Sequence, residues 1–295
     1  MEGRIIKALA GYYYVLDNEQ EEVWTCRARG VFKNQGIHPL VGDWVKFDQV
    51  SQEEGWITEI LPRKNSLHRP PIANVDQALL VHAAKEPAFN PLLLDRMLVL
   101  VEHNQIVPII CFTKVDLVDD WQELDRQLDI YKDVGYQVLF TSPLTGEGID
   151  QVIKCLEGKV TVLAGPSGVG KSTLINTVCP HAEVQTGSVS KKLGRGRHTT
   201  RHVELLRLSS TGLVADTPGF SQLDFTHITE ETLGSTFPEI RRLESQCKFR
   251  GCLHRSEPGC AVKEALTQNQ IRAERYEHYL QFLNEIEQSR DRKRY

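Results

Sequence analysis

The sequence predicts a multi-domain α/β protein with a β-barrel in residues 1–68, an α/β domain in residues 72–225 and a helical domain in residues 226–295. Three observations lead to this division. Short β-type runs fill the first part, apolar runs alternate with helical patterns in the second, and a cysteine/histidine cluster precedes a helical pattern in the third. A chain of 295 residues, 40% of them hydrophobic, is long enough to bury the cores of two or three domains.

The first domain contains five short runs that have the composition of strands and are separated by turn residues. The runs are Arg4–Ala8, Tyr12–Leu16, Val23–Ala28, Trp44–Asp48 and Trp56–Ile60. Five strands fit a small barrel of the oligonucleotide/oligosaccharide-binding (OB) type, whose exposed face commonly binds nucleic acid. A barrel with a purely structural role fits the same runs equally well.

The second domain has the rhythm of βαβ units on a parallel sheet. The predicted strands are Gln77–Ala83, Val107–Phe112, Gln137–Thr141, Lys159–Ala164, His202–Leu208 and Gly212–Asp216. The predicted helices are Leu92–His103, Trp121–Val134, Ile149–Leu156 and one that begins at Lys171, with a further helix over Gln270–Ile286 in the third domain. Ligands bind at the carboxyl ends of the strands in such sheets, so the loops that follow the strands are the candidate sites.

A phosphate-binding loop follows the apolar strand that ends at Ala164 and opens the next helix. Its residues are Gly165, Pro166, Ser167, Gly168, Val169, Gly170, Lys171, Ser172 and Thr173. The glycines let backbone amides approach phosphate, Lys171 reaches the β/γ oxygens, and Ser172 can ligate Mg²⁺. Asp216, at the end of a later strand, is the expected second magnesium ligand, and the amide of Gly219 is placed to sense a γ-phosphate.

Two loops that precede the phosphate loop in the chain have the chemistry to read guanine. The first consists of Thr113, Lys114, Val115 and Asp116, and the second begins with Thr141 and Ser142. The Asp116 carboxylate can accept both N1–H and N2–H₂ of guanine, the Lys114 stem can lie along the base plane, and Thr113 can tie the loop to the phosphate loop.

The order of these loops along the chain is permuted relative to the usual one. A GTP-binding protein normally carries its phosphate loop first and its base loops last, whereas here the base loops come first. All the loops still meet at one edge of the sheet, and domains whose termini lie close together tolerate permutation. The sequence therefore predicts a circularly permuted P-loop GTPase domain.

The third domain carries four metal-binding side chains within 14 residues, spaced C-x4-C-x-H-x5-C. They are Cys247, Cys252, His254 and Cys260. Three thiolates and one imidazole complete a tetrahedron and leave no position open for water, so we expect one structural Zn²⁺ per chain. Reduced, buried cysteines beside a solvated histidine are the alternative.

The bulk properties exclude several classes of protein. No run approaches the roughly 18 apolar residues that span a bilayer, and Met1–Arg4 is not followed by the apolar segment of a signal peptide. Seven scattered cysteines in a chain of this size favour a reducing compartment. The formal net charge of -4 argues against uniform attraction to nucleic acid but allows local basic surfaces. We expect a cytoplasmic monomer that does not bind membranes.

With these motifs in this order, nearly the whole chain resembles the bacterial ribosome-small-subunit-dependent GTPase family, the permuted GTPases that assist late assembly of the small ribosomal subunit. The resemblance depends on Thr113–Asp116, Gly165–Thr173, Asp216–Gly219, the barrel and the Cys/His cluster. It implies hydrolysis of GTP to GDP and phosphate with Mg²⁺, slow alone and stimulated by the small subunit. It also implies the small ribosomal subunit and its rRNA as partners and a cytosolic location.

The base loops depart from the common pattern in two places. The first loop commonly begins with Asn, and Thr113 replaces only part of the hydrogen bonds of an amide. In the second loop, the residue whose amide donates to guanine O6 aligns with Pro143, which has no N–H. Either Leu144 or Ser142 supplies this donor, or the contact is absent.

The residue after Gly219 is Phe220, where Ras-like enzymes place a glutamine that orients the attacking water. An aromatic ring cannot do this, and the family resemblance points instead to the segment Gly194–Thr200. We expect His198 to orient the water and Thr199 or Thr200 to close over the magnesium ion. A solvated loop histidine is the alternative for His198.

Two other functions use the same motifs. A nucleotide-regulated RNA-binding module with negligible turnover is suggested by Phe220, and an ATP-dependent kinase or ATPase would retain the phosphate loop but leave Asp116 without a role.

Overall fold

The first domain is a closed barrel of five strands, as the sequence predicted. The computed structural model describes residues 1–19, 22–30, 32, 36–68, 70–179, 203–208, 211–216 and 224–292. The barrel strands are β1 (Glu2–Leu9), β2 (Tyr12–Asp17), β3 (Val23–Ala28), β4 (Trp44–Ser51) and β5 (Glu54–Ile60). They close in the order β1-β2-β3-β5-β4, with β3 parallel to β5 and the other pairs antiparallel. Alternate residues such as Val45 and Phe47 fill the interior, because successive side chains of a strand face opposite sides.

A short hairpin joins the barrel to the second domain. Its strands, β6 (Ser66–Leu67) and β7 (Ile72–Ala73), pair antiparallel, and Ile72 also bridges to Val41 of the barrel. Gly42 has φ +91°, and a Cβ there would lie 2.0 Å from the Ala73 carbonyl oxygen, so this contact requires glycine. The sequence did not predict the hairpin, because strands of two residues carry no periodicity.

The second domain is built on a six-stranded sheet in the order β10-β9-β8-β11-β13-β12. The strands are β8 (Gln77–Ala83), β9 (Val107–Thr113), β10 (Gln137–Phe140), β11 (Val160–Ala164), β12 (Leu205–Arg207) and β13 (Leu213–Asp216). All neighbours are parallel except β12 and β13. The carboxyl ends of β9, β10, β11 and β13 therefore share one edge. The predicted strand His202–Leu208 is shorter than expected: Glu204 bridges to Lys7 of the barrel instead of pairing with β13, and His202 lies outside the described residues.

Four helices cover this sheet at the predicted positions. They are α1 (Pro91–His103), α2 (Trp121–Val134), α3 (Ile149–Leu156) and α4 (Lys171–Val178). Asn90 and Asp120 cap α1 and α2 by accepting hydrogen bonds from first-turn amides. One apolar core runs from the barrel into the sheet, since Ile5 and Phe47 belong to the same buried cluster as Leu80 and Ile110. No helix in the described part of the chain is long and apolar enough to cross a membrane.

The C-terminal domain is helical and has its own aromatic core. Its helices are α5 (Glu230–Leu233), α6 (Pro238–Arg241), α7 (Ala261–Thr267) and α8 (Ala273–Arg292). Phe225, Phe237, Tyr279 and Phe282 pack at its centre. The helix predicted over Gln270–Ile286 begins three residues later and ends six residues later. Its last turns pair with the domain, because Glu287 contacts Arg255 and Arg290 contacts Glu230.

Buried charges fix this domain on α1 of the nucleotide domain. Arg275 of α8 is 2% exposed and donates to both Glu239 and Asp95, and His278 also contacts Asp95. The guanidinium of Arg275 has two carboxylate partners, so its charge is compensated in the interior.

The domain boundaries 1–68, 72–225 and 226–295 remain predictions.

Candidate nucleotide site and metal centre

The phosphate loop lies between the buried strand β11 and helix α4, where the sequence placed it. A Cβ on Gly165 would lie 2.1 Å from the Val81 carbonyl oxygen of β8, so only glycine lets the loop leave the sheet here. Lys171, the first residue of α4, donates from Nζ to the carbonyl oxygens of Gly165 (2.8 Å) and Pro166 (2.6 Å). Its ammonium group therefore lies across the mouth of the loop, and Ser172 and Thr173 occupy the first turn of the helix.

The first base loop is bonded directly to the phosphate loop. The Thr113 hydroxyl donates to the carbonyl oxygen of Val169, and its oxygen lies 3.2 Å from that of His82. Lys114 has φ +58° and donates from Nζ to the carbonyl oxygens of Gly168 (2.8 Å) and Glu86. Two side chains of the base loop thus set its distance from the phosphate loop.

Asp116 lies on the exposed side of this loop, in a single 3-10 turn (Val115–Leu117). The Val115 amide donates to the Thr141 carbonyl at 3.5 Å, which brings the second base loop alongside the first. Thr141 and Ser142 are fully buried, and the Thr141 hydroxyl donates to the Glu147 carbonyl at 2.8 Å. These residues shape the second loop from inside, whereas Asp116 has its carboxylate at the surface.

Several predicted site residues lie wholly or partly outside the residues that the structure describes. Asp216 ends β13, one strand from the phosphate-loop strand, but its side chain is not described. His198, Thr199, Thr200, Gly219 and Phe220 lie outside the described residues. Their roles remain predictions.

His82 is a site neighbour that the sequence reading missed. It is 2% exposed, its ring packs against Phe89 and Phe112, and its Nε2 is buried with no hydrogen-bond partner among the residues that the structure describes. Burial, and secondarily the charge of Lys171, lowers its pKa to about 4. The one signal in the sequence is a single titratable residue in the otherwise apolar second half of β8.

The cysteine/histidine cluster is assembled as a possible metal centre. The ligand atoms of Cys247, Cys252, His254 and Cys260 all lie within 4.8 Å of one another. The Nδ1 atom of His254 lies 3.4 Å from Sγ of Cys260 and 3.6 Å from Sγ of Cys247, so Nδ1 is the nitrogen that faces the sulfur atoms.

Hydrogen bonds from α8 support the loop that carries His254. The hydroxyl of Tyr276 donates to the His254 carbonyl (2.6 Å) and that of Tyr279 to the Leu253 carbonyl (2.9 Å). The Glu257 carboxylate accepts from the amides of Leu253 and Arg255, each at 2.7 Å. Three sulfur donors and one nitrogen donor, held from outside in this way, are a donor set that fits zinc.

An N-terminal OB-type barrel, base loops that precede the phosphate loop in the chain, and a parallel sheet that brings these loops to one edge define a circularly permuted P-loop GTPase. The chain belongs to the RsgA GTPase family: residues 60–226 match the model of the RsgA GTPase domain and residues 2–57 that of the RsgA N-terminal domain. The resemblance inferred from the sequence is confirmed.

Individual relatives match over almost the full chain. The small ribosomal subunit biogenesis GTPase RsgA of Bacillus velezensis is 54% identical over 99% of both chains. The solved structure of YloQ, described as a circularly permuted GTPase, superposes with a TM-score of 0.84 at 48% identity and covers 98% of this chain and 95% of its own. YjeQ from Thermotoga maritima has a TM-score of 0.85 at 35% identity and covers 97% and 98%.

Proposed function

We propose that this GTPase binds the small ribosomal subunit, hydrolyses GTP to GDP and phosphate there, and acts in late maturation of the subunit. The observation that carries the proposal is the direct bonding of the Thr113–Asp116 loop to the phosphate loop through Thr113 and Lys114. These contacts hold the loop that carries Asp116 against the phosphate loop, which supports a role for its carboxylate in reading guanine. The names of the relatives supply the ribosomal subunit as the partner.

The individual residues take distinct roles in this proposal. Asp116 accepts the N1–H and 2-amino hydrogens of guanine, and the ammonium of Lys171 moves from the loop carbonyls to the β/γ oxygens. Ser172 and Asp216 would hold Mg²⁺, which supplies charge stabilisation when it is bound with GTP. His198 orients the attacking water, and Thr199 or Thr200 closes over the nucleotide.

The barrel and the C-terminal domain are the surfaces proposed for rRNA. On the barrel, the Arg27 guanidinium lies 4.6 Å from the Tyr12 ring centroid, and Trp56 is 38% exposed. Exposed aromatic rings beside cations suit unpaired nucleotides. The C-terminal domain would hold one structural Zn²⁺ on its Cys₃His set. The protein acts as a cytoplasmic monomer in this proposal.

Turnover of GTP and ATP, measured with and without purified small subunits, tests the proposal. We expect hydrolysis of GTP alone, stimulated by the subunits. The variant His198→Ala should lose the stimulated turnover but retain GDP binding, whereas Asp116→Asn should weaken guanine binding and accept xanthine nucleotides, because an amide offers a donor in place of an acceptor. ATP turnover, or normal subunit-stimulated turnover by His198→Ala, would contradict these assignments.

A nucleotide-regulated RNA-binding module with negligible turnover is the second candidate, because Phe220 stands where Ras-like enzymes place a glutamine. Tight GTP binding with no turnover in the presence of saturating small subunits would select it.

A further inference from the structure

The ammonium group of Lys7, on strand β1 of the barrel, is bonded to a carboxylate of the nucleotide domain. Its Nζ lies 3.0 Å from Oε1 and 2.9 Å from Oε2 of Glu204, the residue that precedes β12. The backbones of Lys7 and Glu204 also form an isolated antiparallel bridge. Val203 and Leu205, on either side of Glu204, are buried in the core that the barrel shares with the sheet. The backbone of Glu204 is therefore docked on the barrel, and its carboxylate lies at the barrel surface.

Lys7 belongs to the outer face of strands β1–β3. It lies opposite Tyr14 in the register of β1 and β2, with its Nζ 5.9 Å from the centroid of the Tyr14 ring. Next along this face, Tyr12 lies opposite Arg27 of β3, and the Arg27 guanidinium donates to the Tyr12 hydroxyl. Rings beside cations suit unpaired nucleotides. Of these two cations, only Lys7 is paired with a carboxylate within the part of the chain that the structure describes.

The ammonium of Lys7 can exchange this carboxylate for another anion at little cost. The side chains of Lys7 and Glu204 are 33% and 43% exposed, and ion pairs at such exposure contribute little to stability. A nucleic-acid phosphate that contacts a lysine gains from the release of counterions. The exchange requires only rotation of two side chains, because the backbone bridge and the burial of Val203 and Leu205 hold the start of β12 in place.

We infer that single-stranded RNA on the outer face of β1–β3 binds the Lys7 ammonium through a phosphate in place of Glu204, so that Glu204 is an internal competitor of RNA; this inference rests on the proposed binding to rRNA. The RNA affinity of the barrel is thus limited by a residue of the nucleotide domain. Leu205, the residue after Glu204, pairs with Ala215 of β13. The exchange therefore takes place at the edge strand of the nucleotide sheet.

Fluorescence anisotropy of a short labelled oligouridine, titrated with the full-length GDP-bound protein, measures this competition. Glu204→Gln should tighten RNA binding roughly two- to fivefold, because it releases the ammonium. Lys7→Met should weaken binding and lower the slope of log affinity against log salt concentration by about 0.7, the value for one phosphate contact on a single strand. In the Lys7→Met background, most of the gain from Glu204→Gln should vanish, because no ammonium is left to release.

The matched control is Glu59→Gln, which removes the same charge from an ion pair outside the β1–β3 face. Glu59 lies 2.8 Å from Lys46, and their side chains are 53% and 51% exposed. This control should leave the RNA affinity unchanged, and all the variants should retain the GDP affinity of the wild type. An equal gain from Glu59→Gln, or the same gain from Glu204→Gln with and without Lys7, would overturn the inference, because the carboxylate would then act by general repulsion.

Zero-length crosslinking tests the exchange in the wild-type protein. A carbodiimide joins an amine to a carboxylate in direct contact, so mass spectrometry should find a Lys7–Glu204 crosslink in the free protein. Oligouridine should reduce the yield of this crosslink and leave that of Lys46–Glu59 unaffected. Bound RNA that leaves the Lys7–Glu204 yield unchanged would overturn the inference. Failure of the proposed function is distinct, since the wild-type protein would then show no GTP turnover with small subunits.

Discussion

At the scale of single residues, Thr113 shows how one hydroxyl links two loops. Its hydrogen goes to the Val169 carbonyl, whereas the asparagine common at this position carries two donor hydrogens. We expect Thr113→Val to lower GDP affinity by roughly three- to tenfold, because it removes this hydrogen bond and leaves a buried carbonyl oxygen without a partner. Titration calorimetry measures the change. Thr113→Ser, which retains the hydroxyl, is the control and should bind like wild type; equal affinities of the Val and Ser variants would contradict the assignment.

His82 couples folding stability to pH. Its pKa is lowered to about 4 in the folded protein, from the ordinary histidine value of 6.5. Between these values the unfolded chain binds a proton that the folded protein does not, so stability falls as the pH falls through this window. The loss amounts to about 3 kcal/mol in the free energy of unfolding.

The variant His82→Phe should therefore lose less stability than wild type between pH 6.5 and pH 4, as measured by urea denaturation at the two pH values. Other groups titrate in both proteins, so the difference between the two slopes reports on His82. Identical slopes would show that His82 is solvated.

At the scale of elements, the ion pair of Arg275 on α8 with Asp95 on α1 is a buried link between the nucleotide domain and the C-terminal domain. Arg275→Met would leave Asp95 and Glu239 buried without a compensating cation and should lower the free energy of unfolding by about 3–5 kcal/mol. Arg272→Met, at the residue immediately before the same helix, is the matched control: Arg272 is 52% exposed and pairs with Asp133, which is 60% exposed, so about 1 kcal/mol or less is expected. Urea denaturation distinguishes them, and equal losses would contradict this role for Arg275.

The sequence predicted most accurately the elements that have either a continuous apolar run or a helical spacing of apolar residues. Strand β8 and helix α2 begin and end at the predicted residues, because a fully buried strand and a capped amphipathic helix carry their signals locally. The hairpin β6–β7 and the last turns of α8 were missed because they depend on contacts with distant residues: Val41 for the hairpin and Glu230 for the helix.

The residues of the candidate site also divide into those with a local signal in the sequence and those that depend on contacts made by the fold. The loops with characteristic spacing were predicted from the sequence, because each is a contiguous motif at a strand end. His82 was missed, since its importance comes from Phe89, Phe112 and Lys171, which only the fold brings near it.

At the scale of the whole molecule, the three parts are closely joined. The barrel shares an apolar core with the sheet, and the C-terminal domain is fixed to α1 by Arg275 and by Arg96, which donates to Glu285 at 2.8 Å. These contacts oppose a large rotation of the C-terminal domain against the barrel. Superposed structures with GDP and with a GTP analogue should show one arrangement of the described domains; a rotation that breaks the Arg275 contacts would contradict this expectation.

The cysteine/histidine cluster lies beside α8, whose Tyr276 and Tyr279 hydroxyls donate to the loop that carries His254. Cys252→Ser removes one of four ligands, so we expect zinc content to fall from about one per chain and the domain to lose thermal stability. Cys155→Ser, which lies outside the cluster, is the control and should retain the metal. Elemental analysis and thermal melts measure both effects; a variant Cys252→Ser with full zinc content would show that this thiol is not a ligand.

The permuted order also determines which strands of the sheet leave the ribosome first during synthesis. Strands β8, β9 and β10 precede β11 in the chain and form one contiguous half of the sheet. This half can pair while the rest is still being translated, since domains fold progressively from the N-terminus. The segment proposed to recognise the purine would thus be shaped on the nascent chain before the segment proposed to hold its phosphates has left the exit tunnel.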